Sequence, residues 1–574
     1  MERTRIKIVG QSGSGLLTAG DLVAKGLQKL GFQLCADREY PSLIKGGHSC
    51  YTINFSENPV HSLSREADIL VAIDKPSLIA YFDTLKKEGI FLHGYEKMPN
   101  IPDISQKIEE RNIKIVNLPS RQIALENGGT MQMANIILTG MTWKVLGLDY
   151  KIIEQLVREK FSKKKALLDI ALKCLKASYD GAETKQNIEL PIKKEETILL
   201  DGNHAVALGA IHGGMRFYVT YPMSPSSSIL THVANMSDET GIVVKQAEDE
   251  ITAVQMSLGA MFAGTRAMTA TSGGGYDLMT ESVSLAGIIE NPLVIVLAQR
   301  PGPGTGLPTW TAQGDLNLAI HSSHGEFPRV VIACSDPTDC FDNVQHAFNF
   351  AEKYQVPVIL LTEKVVCESK MTVSPFAQNK IAIERGLAPN LANLKPEDRY
   401  RITQSGLSTR WLPGSCETTF FANGDEHDGE GVLDESEKAG EMYAKRMRKL
   451  DLIQKNLPKP KVYGKEKDAD ISFIGWGSTK TVMKDIIAQY EKKGVSVNFL
   501  HFGVVWPLEE ETLNKFCVQQ KNLHLIEGNY EGQFGKKVEA CGHTFTGKLL
   551  KWNGRPFFIE DVEKYINEQL KVKN

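Results

Sequence analysis

Between residues 243 and 362 the chain carries five strand-length runs, VVKQA (243–247), AMTATS (267–272), PLVIVLA (292–298), RVVIAC (329–334) and PVILLT (357–362). Several are near-continuous in Val, Ile and Leu. A strand that is apolar on both faces has to be covered on both faces, which places it inside a largely parallel sheet flanked by helices. That requirement confines the chain to the α/β class. The same alternation opens the sequence: IKIV (6–9), the glycine turn Gly10-Gln11-Ser12-Gly13-Ser14-Gly15, then a helical stripe of Leu16, Leu17, Leu22, Val23, Leu27 and Leu30. Strands at ADILVAID (67–74) and GIFLHG (89–94) continue it. A third block runs through ISFIGWG (471–477), VSVNFLHF (495–502) and NLHLIEG (522–528) and ends in a helix.

Two stretches break the pattern. Residues 181–197 (GAETKQNIELPIKKEET) are polar, contain a proline and show no helical period, so they read as a linker. Residues 376–465 hold few apolar periods and much Gly, Pro, Asn and charge, ending in ESEKAGEMYAKRMRKL and KNLPKPKVYGKEKD. They read as a long irregular connection and not as a domain core. The expected organisation is three α/β domains, at 1–185, 198–375 and 466–574, with the connection at 376–465; length alone, at about 150 residues per domain, suggests about four, or three if one is large.

The 574 residues include 66 Lys+Arg and 69 Asp+Glu, a formal charge of −3. The two signs are interspersed, which argues against a nucleic-acid or anionic-membrane surface and favours small-molecule partners. The opening Met1-Glu2-Arg3-Thr4-Arg5 runs straight into an apolar strand without a signal-type stretch, and no apolar run approaches a membrane span. A cytoplasmic protein is expected. Nine cysteines, at 35, 50, 174, 334, 340, 367, 416, 517 and 541, include no CxxC pair. They read as reduced core residues that cannot build a contiguous four-thiolate iron-sulfur motif.

Several motifs have plain structural readings. GQSGSG reverses the order of GxGxxG; its amides suit phosphate, yet a glycine turn is also how a strand enters a helix, and the structural reading is preferred. Lys45-Gly46-Gly47-His48 is either a close-approach turn or a tight turn before SCYTINF. GSTKT (477–481) fails the phosphate-loop pattern and is a strand-turn-helix corner. Asp425-Glu426-His427-Asp428 lacks a metal-ligand spacing and reads as a hydrogen-bonded loop.

Residues 221–326 carry the chemistry. Tyr221-Pro222-Met223-Ser224-Pro225 places hydroxyls at a strand's carboxyl end, where α/β sheets bind ligands. VVKQA runs into Glu248-Asp249-Glu250 and a helix with the stripe Ile251, Val254, Leu258, Met261 and Phe262; alone, Glu250 would be a cap. After AMTAT come Ser272-Gly273-Gly274-Gly275, and after PLVIVLA comes Arg300-Pro-Gly-Pro-Gly-Thr305-Gly-Leu-Pro-Thr309. A cation opening a loop of Gly, Pro and Thr suits a small carboxylate.

In order along the chain, YPMSPSS, QAEDE, TATSGGG and RPGPGTGLPT resemble the α subunit of 2-oxoacid:ferredoxin oxidoreductases. GQSGSGLLTAG with PSLIKGGHS resembles the γ subunit of the same enzymes, fused ahead of α, and GDEHDGEG, WPLEEE and EGNYEGQFG fit the same family. The resemblance implies a γ-type α/β domain, a doubly wound domain that binds the pyrimidine of thiamine diphosphate, and a transketolase-like α/β domain at the C-terminus. It implies conversion of a 2-oxoacid and coenzyme A to acyl-CoA and carbon dioxide, with electrons passed to ferredoxin. Such a cofactor needs a buried carboxylate on its pyrimidine nitrogen.

In similar thiamine enzymes glycines lie nine and fourteen positions after that glutamate; from Glu250 these are Gly259 and Gly264. Counting from the strand end favours Glu248, which stays as the second choice. The resemblance puts Tyr221, Pro222, Ser272 and Gly273 against the cofactor, and Ser224, Arg300, Thr305 and Thr309 against the substrate. Ser224 replaces the family's threonine; TSGPG reads TSGGG and GPSTG reads GPGTG, which is expected to loosen both loops. The chain lacks the GDG pattern for magnesium and diphosphate as well as cluster cysteines. In the family both belong to a separate β subunit, so a dimer of α-β pairs is expected, with this chain inactive alone and no metal of its own. The γ-α fusion resembles the 2-oxoglutarate enzymes. Pyruvate or another 2-oxoacid, a non-catalytic scaffold of the same fold that binds CoA or a partner, and a nucleotide-binding regulator using GQSGSG are the competing readings.

Overall fold

The computed structural model describes residues 3–41, 47–192, 195–378, 380–434 and 436–571. Two compact units divide the chain. The first comprises Met1–Leu200, Ser369–Pro375 and Phe558–Glu568; the second comprises Asp201–Glu368, Phe376–Phe557 and Gln569–Asn574.

The first unit is built on an eight-stranded mixed sheet, in the order Lys114–Asn117, Leu85–His93, Ala67–Ala72, Thr4–Gln11, His48–Ser56, Gln33–Glu39, Lys370–Val373, Ile198–Leu200. Thr4–Gln11 pairs parallel with Ala67–Ala72 and antiparallel with His48–Ser56. Ile6, Ile8, Ile53 and Phe55 from the sheet pack with Val23, Leu27, Ile137 and Trp143 from its helices. Lys370–Val373, which the sequence boundaries assign to the second block, is a strand of this sheet. Met371 pairs with Cys35 on one side and Leu200 on the other. Lys370 Nζ lies 2.6 Å from Asp21 Oδ1, and Ser369 Oγ donates to Asp37 Oδ1 at 2.9 Å. Four residues are too short for a legible period, so hydrogen bonding and ion pairing decide this placement. Residues 558–568, which include most of the last helix, also belong here, with Arg65 Nη2 2.5 Å from Asp561 Oδ1.

The second unit contains a seven-stranded sheet, in the order Val504–Trp506, Val330–Ala333, Pro357–Glu363, Leu293–Gln299, Ala267–Thr271, Phe217–Thr220, Val243–Gln246. All neighbours are parallel except Val504–Trp506, which runs antiparallel at the edge. A five-stranded sheet, ordered Lys461–Gly464, Val497–Phe502, Ile471–Trp476, Leu523–Glu527, Gly547–Leu550, shares its core with the larger one. Trp476, Phe502, Val505 and Phe534 pack in one apolar cluster with Leu297, Val331 and Ile359.

Residues 376–465 are sparse in regular structure but firmly packed. Tyr400, Trp411, Met442 and Ile453 are buried. Lys445 Nζ and Lys449 Nζ each lie 2.5 Å from a Glu290 carboxylate oxygen, and Arg385 and Arg410 join Arg266 on Glu352 at 2.8, 3.5 and 2.6 Å. Buried charge pairs attach this segment in place of a periodic apolar face, which is why hydrophobic periodicity reads it as a mere connection. Lys461–Gly464, inside the same stretch, pairs antiparallel with Val497–Phe502. Among the described residues no helix is long and apolar enough to cross a membrane.

Candidate functional site

The chain leaves strand Phe217–Thr220 through helix Ser227–Asn235 to Val243–Gln246 on one side, then crosses back through helix Glu250–Phe262 to Ala267–Thr271 on the other. This reversal is a topological switch point, and the carboxyl ends of the strands flanking it form the crevice where open α/β sheets take ligands. The loop at 221–226 and the start of helix Gly273–Ile288 lie at those ends, and the loop after Arg300 leaves the next strand.

Glu250 opens the crossing helix. Asp249 caps it, accepting from Thr252 N at 2.7 Å, so the acid beside Glu250 does the capping and Glu250 is free to turn inward. Its side chain is 4% exposed, and Oε1 is buried with no hydrogen-bond partner among the described residues. Burying a carboxylate oxygen without a partner costs free energy, which a bound donor would recover. Gly275 makes room for it: a Cβ at that position would lie 2.7 Å from Glu250 Oε1 and would also strike Thr271 Oγ1. Glu248 stands elsewhere, exposed, accepting from Thr252 Oγ1 at 3.1 Å. Of the two glycines spaced from Glu250, Gly264 ends the helix at φ +95°, where a Cβ would strike Leu412, while Gly259 has open space beside it.

The structure brings Ser224 and Arg300 together: Arg300 Nη1 donates to Ser224 O at 2.9 Å. Burial lowers the Arg300 pKa, and Asp315 opposes the shift. Ser272 is fully buried at the N-cap of helix Gly273–Ile288, with no capping bond and an Oγ lacking a partner among the described residues. Gly273, Gly274 and Gly275 are the first three residues of that helix, so TSGGG is not the loosened loop expected from the sequence; Gly274 has no atom within 4 Å of an added Cβ. Tyr221 is 38% exposed and Pro222 half-buried at the rim; Thr305 is exposed, whereas Thr309 is buried.

Two residues here escape the sequence reading. Gly275 matters through its contact with Glu250, which no local pattern announces. Asp315 reads as the N-cap of helix Leu316–His321, yet it makes no capping bond. Burial, reinforced by Asp277 and opposed by Arg300, pushes its carboxyl up to about 6.

The remaining motifs take structural positions. In the 425–428 loop, His427 Nδ1 donates to Asp425 O at 2.8 Å and Glu426 accepts from Arg446 through both oxygens at 2.6 Å. Asp428 Oδ1 accepts from the Glu430 and Gly431 amides. GSTKT joins strand Ile471–Trp476 to helix Thr479–Lys492, with Lys480 Nζ 2.6 Å from Asp336 and 2.7 Å from Asp339. In the first unit, GQSGSG links strand to helix with Gly13 at φ +90° and Gly15 at φ +82°, and Gln11 N donates to Asp74 Oδ2 at 2.6 Å. Lys45 and Gly46 lie outside the described residues; Gly47 O accepts from Ser12 N at 3.3 Å.

Residues 208–443 match a family model described as pyruvate flavodoxin/ferredoxin oxidoreductase, thiamine diphosphate-binding, and residues 5–181 match one described as pyruvate ferredoxin/flavodoxin oxidoreductase. The chain is 32% identical over 620 residues to the 2-oxoacid:ferredoxin oxidoreductase subunit alpha of a Sulfolobus species, covering 98% of this chain and 96% of that one. It is 27% identical to the 2-oxoglutarate oxidoreductase subunit of Mycobacterium tuberculosis, covering 99% and 92%. The 2-oxoglutarate:ferredoxin oxidoreductase from Magnetococcus marinus, solved with 2-oxoglutarate, coenzyme A and succinyl-CoA bound, superimposes at a TM-score of 0.91 with 28% identity over 99% of each chain. Residues 5–181 and 208–443 therefore carry two regions of this enzyme family, the second its thiamine-diphosphate-binding region, and the superposition extends the shared fold over the C-terminal sheet. With a relative above 30% identity aligned along nearly its whole length, the chain belongs to the alpha subunits of the 2-oxoacid:ferredoxin oxidoreductases.

Proposed function

We propose that this chain supplies the pyrimidine half of a thiamine-diphosphate site in a complex that converts 2-oxoglutarate and coenzyme A to an acyl-CoA and carbon dioxide, delivering electrons to ferredoxin. The observation that carries the reading is the buried, unpartnered Glu250 Oε1 at the switch point. A ring nitrogen that shares a proton with a carboxylate fits this oxygen, and the buried Ser272 Oγ, also without a partner among the described residues, offers a further polar contact. Tyr221, Pro222 and Gly273 would border the same group. When bound, the cofactor supplies the carbon nucleophile and the sink for electrons. Glu250 holds a proton at Oε1. Arg300 binds the substrate carboxylate, and Ser224, whose carbonyl Arg300 already engages, offers its hydroxyl to the substrate oxygens. Thr305 and Thr309 line the loop that follows.

The preference for 2-oxoglutarate rests on relatives and a superimposable structure bearing that substrate's name and on the fused arrangement of the chain. A β subunit would provide magnesium, the diphosphate site and the iron-sulfur cluster, in a dimer of α-β pairs, so the chain is proposed to be inactive alone. Anaerobic, CoA-dependent viologen reduction by the purified complex across 2-oxoglutarate, pyruvate, 2-oxobutyrate and indolepyruvate tests this. Highest kcat/KM on 2-oxoglutarate is expected. Preference for another 2-oxoacid corrects the substrate, and no reduction with any of them, in the presence of a cluster-bearing partner and thiamine diphosphate, rejects the enzymatic reading in favour of a scaffold.

A further inference from the structure

Helix Gly202–His212 begins where the chain enters the second unit, and its second residue reaches the loop that carries Ser224. Asn203 is fully buried. Its Nδ2 donates to Pro225 O at 2.8 Å and to Ser228 Oγ at 2.7 Å, so one amide group ties the end of the loop to the start of helix Ser227–Asn235. Its Oδ1 is buried with no hydrogen-bond partner among the described residues. Turning the amide over would set that oxygen against the Pro225 carbonyl, two acceptors with no proton between them, so the donors have to point at the loop. An unpaired buried acceptor is a cost that packing alone does not require, and the contribution of Asn203 lies in what its donors hold.

The helix start is itself fixed. Asp201 caps it, accepting from His204 N at 2.8 Å. Gly202 lets it approach helix Lys364–Glu368, where an added Cβ would strike Val366 O. The His204 ring stacks on His232 of helix Ser227–Asn235, with centroids 4.2 Å apart and planes 4° from parallel. Asn203 therefore projects from a rigid support. Within the loop, Ser226 N and Oγ both donate to Met223 O, at 2.9 and 2.8 Å, closing a local turn. Two successive carbonyls are held by side chains from outside the loop: Ser224 O by Arg300 at a strand end, and Pro225 O by Asn203 at a helix start.

We propose that Asn203 is a positioning residue of the substrate site: by holding Pro225 O it fixes the peptide next to Ser224, and so sets where the Ser224 hydroxyl and the Arg300 guanidinium meet a 2-oxoacid. The inference rests on the reading of Ser224 and Arg300 as substrate contacts. Without the Asn203 donor, Pro225 O loses its bond, the loop peptide gains freedom to turn, and Arg300 no longer has a fixed acceptor in Ser224 O. Glu250 and Ser272 stand at other strand ends, so the pyrimidine contacts lie outside this linkage.

The test uses the whole complex. Asn203→Leu keeps the approximate shape and the neutrality of the side chain and removes its donors. KM for the preferred 2-oxoacid in viologen reduction is expected to rise about tenfold to a hundredfold, the scale of a misplaced substrate-binding group. The fall in kcat should be smaller than the rise in KM, and thiamine diphosphate affinity, read by calorimetry on the cofactor-free complex, should stay at the wild-type value. Calorimetric binding of the preferred probe, 2-oxoglutarate or pyruvate, should weaken with the same sign as KM. Ser228→Ala removes the other half of the fork but leaves the bond to Pro225 O, and should shift KM by less. Asn203→Ala carries the comparison if Asn203→Leu does not fold. An unchanged KM, a fall in kcat that exceeds the rise in KM, a parallel loss of thiamine diphosphate affinity, or a Ser228→Ala effect as large as that of Asn203→Leu overturns the proposal. A wild-type complex that binds a probe yet reduces no dye rejects the proposed function, and the calorimetric comparison of the variants then decides Asn203. A wild type that binds neither probe overturns both.

Discussion

Gly275 and Glu250 stand so close that a Cβ on the glycine would come within 2.7 Å of the carboxylate Oε1 and 2.9 Å of its Cγ. The absence of a side chain on one helix gives the acid on the next its room.

Gly275→Ala therefore should displace Glu250. An added methyl that meets both Glu250 and the Thr271 hydroxyl forces one side chain from its place, and overpacking of this kind costs about 1–3 kcal/mol. The expected outcome is a lower melting temperature together with loss of thiamine diphosphate affinity, read by calorimetry on the complex. Gly274→Ala, with open space around it, should bind the cofactor normally and stabilise the helix by about 0.5–1 kcal/mol.

Glu250→Gln keeps shape and removes the proton-holding oxygen. Turnover of the complex on its 2-oxoacid should fall about a hundredfold or more, the scale of a lost acid-base partner, with the fold retained by circular dichroism. Glu248→Gln touches a surface carboxylate bonded to Thr252 and should retain turnover. A reversed pattern would move the cofactor contact to Glu248.

Asp249→Ala tests whether the cap delivers Glu250. Loss of the bond to Thr252 N should cost about 1 kcal/mol of stability. Because the frayed turn is the one that carries Glu250, cofactor affinity should weaken as well. Unchanged affinity would show that the carboxylate keeps its place without the cap.

Glu290 sits fully buried between Lys445 and Lys449; burial works against its charge, but the two ammonium groups and Arg399 prevail and hold the carboxyl down to about 2. In the unfolded chain it titrates near 4.5. Since the folded value is the lower one, the pair's contribution is complete above about pH 4.5 and is lost as pH falls toward about 2. Glu290→Gln, which strands buried ammonium groups, should destabilise the second unit by about 3–5 kcal/mol near neutral pH. That difference from wild type should shrink through the same acid window in denaturant titrations.

The α/β class and the site loops were legible because they depend on local signals. PLVIVLA and PVILLT can only be covered strands, and hydroxyls, glycines and an arginine at successive strand ends announce a crevice whatever the rest of the chain does. The attachment of residues 376–465 was not legible, because Glu290 lies 155 residues before Lys445 and a charge pattern carries no period that joins them. Lys370–Val373 escaped for a related reason: four residues express a strand only once Cys35 and Leu200 are beside them.

By itself the sequence determined which residue types stand at each strand end, and through motif order, the family to which the chain belongs. It put Glu250 first and kept Glu248, two residues before it, as the second choice. Tertiary structure gives them different surroundings, because burial is a property of what packs against a side chain: Asp249 takes the cap, Gly275 leaves room for Glu250, and Glu248 faces water. The same holds for Asp315, a cap residue by local pattern, whose uncapped side chain sits in a turn held by Gln299 at a strand end and by Gln533 at the start of a helix. Local propensity is additive along the chain, whereas the environment of a buried charge depends on residues hundreds of positions away.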